Sequence, residues 1–231
     1  MDFGLEFSDR LLDPQLAAAG LSRVAEILIQ RGCSTAETGV YASYVGNNDL
    51  LMERATRLYL KDGDRVADVT WGEGVFWRQV DISRFDFHRS DLLTCHEAPH
   101  DFTNLPYESE SFDAVVFDPP YIHDPGELTY YRNFETTPGY NHDEIIDLYR
   151  KGMTQARRIL KPGGYLFVKC MDEVESGVQR RGHIEVWEIA KQLGLSDQDM
   201  FLLTRKSPPQ IQHPQRHARK NCSFLWVFSK P

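Results

Sequence analysis

The chain has 231 residues, 41% of them apolar, and a formal net charge of −8. This length suits one α/β domain with a full core, and the acidic balance argues against a protein that coats nucleic acid indiscriminately. The chain starts without the basic and apolar layout of a signal peptide, and no apolar run approaches the ~20 residues that span a bilayer, so we expect a cytoplasmic protein without membrane contact.

The cysteine and histidine patterns predict neither a disulfide framework nor a metal site. The four cysteines are far apart in sequence and form no C-x-x-C pair. His213 and His217 are four residues apart, but Pro214 between them disfavours the helix that would bring the two rings together. We therefore expect reduced thiols and no bound metal.

The first 48 residues are predicted to form a helical extension ahead of the main domain, with residues 33–48 as a loop. Residues 49–231 then form one domain. Its first helix is expected to use Asn48 as the capping residue and to end at Leu60. The spacing of its apolar residues predicts a buried face made of Leu51, Ala55 and Leu58.

A strand and a glycine turn follow in residues 65–74, which read R-V-A-D-V-T-W-G-E-G. Gly72 and Gly74 are placed where the backbone bends sharply or approaches a ligand closely. A dinucleotide-binding turn would need a further glycine at position 77, where this chain has Trp77. The turn therefore predicts a ligand loop that does not bind NAD.

Two more aspartates follow at the ends of predicted elements. Phe85 to Ser90 predicts a strand that ends in Asp91, which either accepts hydrogen bonds from ribose hydroxyls or caps a turn. Thr94 to His96 predicts a short third strand, and Asp101-Phe102 follows it. The gap between Asp91 and Asp101 is too short for a full helix.

The stretch Phe112 to Tyr121 reads F-D-A-V-V-F-D-P-P-Y. Its apolar part predicts a buried parallel strand, and open α/β sheets bind ligands beyond the carboxyl ends of such strands. The two prolines stiffen the exit from the strand. The Asp118 carboxylate, the Pro119 carbonyl and the Tyr121 ring can then receive an amino group on a flat base.

The last third of the chain predicts two helices and three strands. Because Lys169 falls at the end of a strand, we expect its ammonium group to reach the surface. The predicted elements are a helix opened by a capping box at Asn141–Glu144, a strand Tyr165–Cys170, a polar loop 172–183, a helix Ile184–Leu193, and an antiparallel strand pair, Met200–Thr204 and Ser223–Phe228.

Two loops are candidates for contact with nucleic acid. The loop of about 20 residues after Tyr121 carries aromatic residues that either stack on an extruded base or pack on the core. No acidic residue follows Asp199, so the C-terminal end is locally positive, although a basic loop is often only solvated. The candidate phosphate contacts are Arg180, Arg181, Arg205, Lys206, Arg216, Arg219 and Lys220.

D-P-P-Y, formed by Asp118, Pro119, Pro120 and Tyr121, resembles the catalytic motif of the S-adenosylmethionine-dependent amino-methyltransferases that act on adenine N6 in DNA. D-V-T-W-G-E-G and H-D-F-T-N-L-P resemble the cofactor loops of the same class, in the same order. The resemblance implies S-adenosylmethionine as the cofactor. Its binding residues would be Asp68, Thr70, Trp71, Gly72, Gly74, Asp91, Asp101 and Phe102.

The same resemblance implies a class I methyltransferase fold, which is an α/β Rossmann-like fold. It should contain a seven-stranded, mostly parallel sheet with an antiparallel terminal strand and helices on both faces. The chain resembles the small, phage-like enzymes that lack a separate target-recognition domain. A homodimer or a partner protein would then be one source of sequence specificity.

Two alternatives stay open on the sequence. Some RNA methyltransferases of ribosomal or transfer RNA, acting on guanine N2 or adenine N6, carry a similar motif. A non-catalytic subunit that presents nucleic acid to a partner would keep the fold. The glycine turn and the complete D-P-P-Y motif favour an enzyme, and DNA is favoured over RNA.

Overall fold

The computed structural model describes residues 39–121, 141–205, 216–218 and 220–231. The chain divides into two compact units at residues 40 and 41, and the description below concerns the second unit. Its strands are β1 (Ser43–Val45), β2 (Arg65–Asp68), β3 (Asp86–Arg89), β4 (Phe112–Phe117), β5 (Leu160–Cys170), β6 (Glu173–Glu175), β7 (Val178–Arg180), β8 (Ser196–Thr204) and β9 (Cys222–Ser229). Its α-helices are α1 (Asn48–Tyr59), α2 (His142–Ile159) and α3 (Gly182–Gln192).

Seven of the strands form one sheet in the order β1-β8-β9-β5-β4-β2-β3. β9 is antiparallel to both of its neighbours, and every other pairing in this sheet is parallel. The predicted mostly parallel sheet with an antiparallel terminal strand is therefore confirmed. The chain passes from β2 outwards to β3 and then back to β4 on the other side of β2. Such a reversal of strand order opens a crevice at the carboxyl ends of the two strands.

Three local predictions about this sheet were wrong. Thr94 to His96 forms turns rather than a third strand. The seventh strand is instead Ser43–Val45, which we expected as loop and which pairs with the end of β8. The predicted polar loop 172–183 contains the hairpin of β6 and β7. The domain division after residue 48 stays a prediction, although β1 belongs to the sheet.

Helices cover both faces of the sheet, as predicted. Alternate side chains of a strand point to opposite faces, and β5 shows this clearly. Leu166 and Val168 pack in the core beneath α2 and α3. On the other face, the Tyr59 ring at the end of α1 meets Tyr165 and Phe167 edge-on, with centroids 5.0 and 6.1 Å apart.

The ends of α1 differ in detail from the prediction. Its N-cap residue is Asn47, one residue earlier than predicted, and the Asn47 side chain makes no capping hydrogen bond. Leu51 and Ala55 are buried as predicted, whereas Leu58 is 53% exposed. The buried face continues through Met52 because a straight helix turns by about 100° per residue.

The start of α2 is fixed by the predicted capping box. The Asn141 side chain accepts from the Glu144 N–H at 3.0 Å, and the Glu144 carboxylate accepts from the Asn141 N–H at 2.8 Å. Gly152 lets α2 approach the sheet, since a Cβ there would lie 2.2 Å from the Phe117 ring. α2 therefore packs directly over the strand that carries the D-P-P-Y motif. In the described ranges no helix is long and apolar enough to cross a membrane.

Candidate active site

The glycine turn lies directly after β2, at one side of the crevice. Gly72 and Gly74 have φ angles of +52° and +67°, which favour glycine. A Cβ on Gly74 would lie 2.4 Å from the Trp71 ring, so glycine is needed for the indole to fold back over the turn. The Trp71 N–H donates to the Ser90 carbonyl at 3.1 Å. This bond ties the turn to the end of β3.

The Asp68 carboxylate points into the protein and shapes this turn. One oxygen accepts from the Thr70 N–H at 3.0 Å, and the other accepts from the Trp77 indole N–H at 2.6 Å. Asp68 is 2% exposed, and burial raises the pKa of its carboxyl to about 7 against the effect of these hydrogen bonds. Direct contact between Asp68 and S-adenosylmethionine stays a prediction.

Asp91 lies beyond the end of β3 and also braces the turn. Its Oδ2 accepts from the Gly72 N–H at 3.1 Å, and its Oδ1 accepts from the Leu93 and Thr94 N–H groups at 2.9 Å. Burial raises the pKa of Asp91, but these hydrogen bonds outweigh it and hold the pKa below its usual value. A carboxylate offers about four acceptor positions, so one position on Oδ2 is left for a ligand.

Asp101 and Phe102 form a turn on the same side of the sheet. The Oδ1 of Asp101 accepts from the N–H and hydroxyl of Thr103, both at 2.8 Å. Within the described residues its Oδ2 has no hydrogen-bond partner, and the side chain is exposed. The Phe102 ring packs edge-on against Phe117, with centroids 5.2 Å apart. This contact anchors the turn to β4.

Asp118 begins the D-P-P-Y segment at the carboxyl end of β4, across the crevice from the glycine turn. Its N–H donates to the Thr70 hydroxyl at 2.7 Å, which joins the two segments directly. Its Oδ1 is buried and has no hydrogen-bond partner among the described residues. Burial raises the pKa of Asp118 to about 6, and the charges of Lys169 and Arg205 oppose that rise. A buried oxygen without a partner is costly, so it marks a position for a donor.

Lys169 shows where the sequence interpretation was wrong. We expected its ammonium group at the surface, but the residue is 1% exposed. Its Nζ donates to the hydroxyl of Ser223 at 2.8 Å and lies 5.4 Å from the centre of the Tyr121 ring. The lysine is thus part of the floor of the site.

The predicted phosphate contacts on the β6–β7 hairpin already have partners within the chain. Arg180 forms ion pairs with Glu175 at 3.0 Å and with Asp143 at 3.6 Å. Arg181 forms an ion pair with Asp172 at 3.2 Å. Both guanidinium groups therefore neutralise carboxylates of this chain.

Of the other predicted phosphate contacts, three are described by the structure and two are not. Arg205 is exposed directly after β8, and its charge acts on Asp118 and Tyr121 in the site. Arg216 is exposed and Lys220 half-buried just before β9. The residues that lie outside the described part are Lys206, His213, Arg219 and the aromatic residues Tyr130, Tyr131, Phe134 and Tyr140.

No family model and no curated protein matches the sequence. Solved structures match the fold. A Bacillus halodurans protein, provisionally described as a methyltransferase, aligns with a TM-score of 0.53 and 14% identity, over 80% of this chain and 100% of its own. The chain has the class I methyltransferase fold.

Two further structures align less well with this methyltransferase fold. An S-adenosylmethionine-dependent methyltransferase from Methanosarcina mazei has a TM-score of 0.49 and 10% identity, over 76% of this chain and 96% of its own. A Thermus thermophilus protein, provisionally described as a DNA modification methylase and complexed with S-adenosylmethionine, has a TM-score of 0.40 and 16% identity. The alignment covers 72% of this chain and 56% of the Thermus chain. Both of these TM-scores are below 0.5. The fold is therefore identified from the Bacillus protein and from the strand order.

Two residues of the site were not predicted from the sequence. Trp77 counted only as the residue that breaks a dinucleotide pattern, yet its indole holds Asp68. Lys169 lies next to the last residue of β5, and lysines at such positions commonly extend the ammonium group to the surface. A lysine beside Cys170 within the run Y-L-F-V-K-C was the available signal, since both neighbours in sequence are apolar.

Proposed function

We propose that the protein transfers a methyl group from S-adenosylmethionine to the exocyclic amino group of a nucleic-acid base, with adenine N6 in DNA as the substrate. The hydrogen bond between the Asp118 N–H and the Thr70 hydroxyl carries the proposal. It puts the glycine turn and the D-P-P-Y segment in contact at one crevice. A donor and an acceptor held by these two segments would therefore meet.

The donor would lie along the ends of β2, β3 and β4. The turn from Asp68 to Gly74 would hold its methionine end, with Thr70 and Trp71 in that turn. The free position on Asp91 suits a ribose hydroxyl. The free Oδ2 of Asp101, beside Phe102, suits the adenine amino group. When bound, S-adenosylmethionine supplies a methyl group on a positively charged sulfur, which leaves with the C–S bonding electrons as a neutral thioether.

The residues of the D-P-P-Y segment would position the acceptor. The base amine is a poor nucleophile because its lone pair is delocalised into the ring. Asp118 and the Pro119 carbonyl would accept hydrogen bonds from the two N–H groups of the amine. These hydrogen bonds would direct the nitrogen lone pair at the methyl group. Pro120 keeps the segment extended, and Tyr121 would stack on the base. After transfer the nitrogen has gained a methyl group, and one proton leaves through the carboxylate to solvent.

The nucleic acid would reach the site along its positive side. A base within a duplex must be flipped out first, at a cost of a few kcal/mol. We propose Arg205, Arg216 and Lys220 as phosphate contacts among the described residues, in preference to the ion-paired Arg180 and Arg181. Specificity beyond a short site would come from a partner or a second copy of the chain.

Incubation with labelled S-adenosylmethionine and separate DNA and RNA pools, followed by mass spectrometry of the nucleosides, tests the proposal. We expect N6-methyladenine from DNA. Methylguanine or methyladenine from RNA would assign the RNA alternative. Asp118→Ala is the matched control, and it should abolish transfer while the donor still binds by calorimetry. A protein that does not bind the donor at all would refute the proposal and favour a non-catalytic subunit.

A further inference from the structure

Asp118, whose Oδ1 is buried, and Lys169, which is 1% exposed, carry opposite charges in one site, and among the described residues they form no direct ion pair. The Lys169 Nζ donates to Ser223, and within the described part of the chain the Oδ1 of Asp118 has no hydrogen-bond partner. An ammonium group has three donors, so two remain after the bond to Ser223. The ammonium nitrogen lies 5.4 Å from the centre of the Tyr121 ring. The lysine charge thus reaches the carboxylate without occupying its oxygen.

We propose that Lys169 is a positioning residue of the acceptor site: it supports the Tyr121 ring from below and balances the charge of Asp118, so that the carboxylate stays an acceptor. The inference rests on the proposed transfer to a base amine. A direct ion pair would fill the oxygen that the amine needs. An apolar residue at position 169 would leave Asp118 with only the exposed Arg205 to balance its charge.

Three contacts fix the position of the lysine. Ser223, itself 1% exposed, accepts from its Nζ, and the Tyr149 hydroxyl donates to the Lys169 carbonyl at 2.7 Å. Its ammonium group lies within the distance at which a cation attracts an aromatic face. Lys169 is therefore held from β9, from α2 and from the D-P-P-Y segment at once. The first and third contacts hold the ammonium group and the second holds the backbone, so the charge stays at a fixed place.

Lys169 is the stronger of the two cations that act on Asp118. The other is Arg205, which is exposed, so water screens its charge. Burial lowers the pKa of Lys169, and the negative charge of Asp118 opposes that change. The titratable groups that face Asp118 are Asp68 from the end of β2, Tyr121 from its own segment, Tyr149 from α2, Lys169 and Cys170 from β5, and Arg205 after β8.

The sign of the pH dependence follows from these charges. The acceptor form of Asp118 is the carboxylate, so transfer is lost as the pH falls through its pKa, about 6 in the intact site. Loss of a nearby opposite charge raises the pKa of a carboxyl by about one unit or more. In Lys169→Met, the pH below which kcat falls (the acidic limb of the pH profile) should therefore be higher by about one pH unit.

The chain offers a matched control in Lys230. This lysine is also buried, at 7% exposure, but it donates to Glu110 at 3.0 Å and to the Leu160 carbonyl at 2.8 Å, at the other end of β5. Lys230→Met should cost stability and leave the acidic limb unchanged. Lys169→Arg keeps the charge and should restore the wild-type limb.

Two measurements on the full chain decide the inference. The first is kcat for methyl transfer to DNA against pH. The second is a carbon-13 NMR titration of the aspartate carboxyl groups, with Asp118→Asn to distinguish the Asp118 signal from that of Asp68. We expect a titration near pH 6 in wild type and Lys230→Met, and a higher one in Lys169→Met. An unchanged Asp118 titration in Lys169→Met overturns the inference. A wild-type protein that methylates nothing defeats the proposed function instead, and the NMR titration still decides the role of Lys169.

Discussion

Substitution of Thr70 by valine removes the one hydroxyl that joins the glycine turn to the D-P-P-Y segment. Valine has nearly the same shape, so the change deletes a hydrogen bond of 2.7 Å and little else. The Asp118 N–H then has no partner in the site. A buried donor without a partner costs about 1–3 kcal/mol. The Thr70 N–H still donates to Asp68, so the turn itself should persist.

The cost should appear in kcat, because the bond holds the residue that would orient the amine. Since 1.4 kcal/mol corresponds to a factor of ten in rate, we expect kcat to fall about 10- to 100-fold. The affinity for S-adenosylmethionine should change little, because the Thr70 hydroxyl is already bonded to Asp118 and the Thr70 backbone stays bonded to Asp68. Thr70→Ser retains the hydroxyl and should keep most of the activity.

Single-turnover methyl transfer, donor calorimetry and urea unfolding, applied to wild type and both Thr70 variants, separate the possible effects. Coupling of the two segments through this bond is refuted if Thr70→Val unfolds more easily and yet transfers methyl groups at the wild-type rate. It is equally refuted if Thr70→Ser is as slow as Thr70→Val. Either result would mean that the bond stabilises the fold without aligning the two segments.

Two predictions concern the helix that packs over the site. Asn141→Ala removes the capping box of α2 and should lower the free energy of unfolding by about 1 kcal/mol. Asn141→Ser keeps a capping oxygen and should not lower it. Equal stability of the two variants in urea denaturation would contradict this prediction. Gly152→Ala should destabilise the protein by about 1–3 kcal/mol and also slow methyl transfer, because the new Cβ would lie 2.2 Å from the ring of Phe117, the residue before Asp118. A variant as stable as wild type by calorimetry would contradict this prediction.

The parts of the fold that follow from local patterns were predicted well. The apolar run before Asp118 is a buried strand, and the capping box at Asn141 opens a helix. Each of these signals lies within a few consecutive residues. The ends of β2 and β4 could also be predicted to share one edge of the sheet, because parallel strands end on the same side.

The wrong predictions concern elements whose structure depends on distant residues. Ser43–Val45 carries little strand signal and becomes a strand only because β8 offers it an edge. Leu58 fits a helical stripe but falls on the side of α1 that the sheet does not reach. Thr94 to His96 has β-branched and apolar character but pairs with no strand in the described ranges. Strand pairing is non-local, so short edge elements escape sequence patterns.

The sequence by itself determined which side chains are available for the chemistry: an acidic residue and two glycines after one strand, and D-P-P-Y after another. Only the tertiary structure decided how they are used. It turned Asp68 inward onto Trp77, left one oxygen of Asp118 without a partner, and buried Lys169 beneath Tyr121. The physical reason is that desolvation and charge pairing depend on every element packed around a group, and these neighbours come from distant parts of the chain.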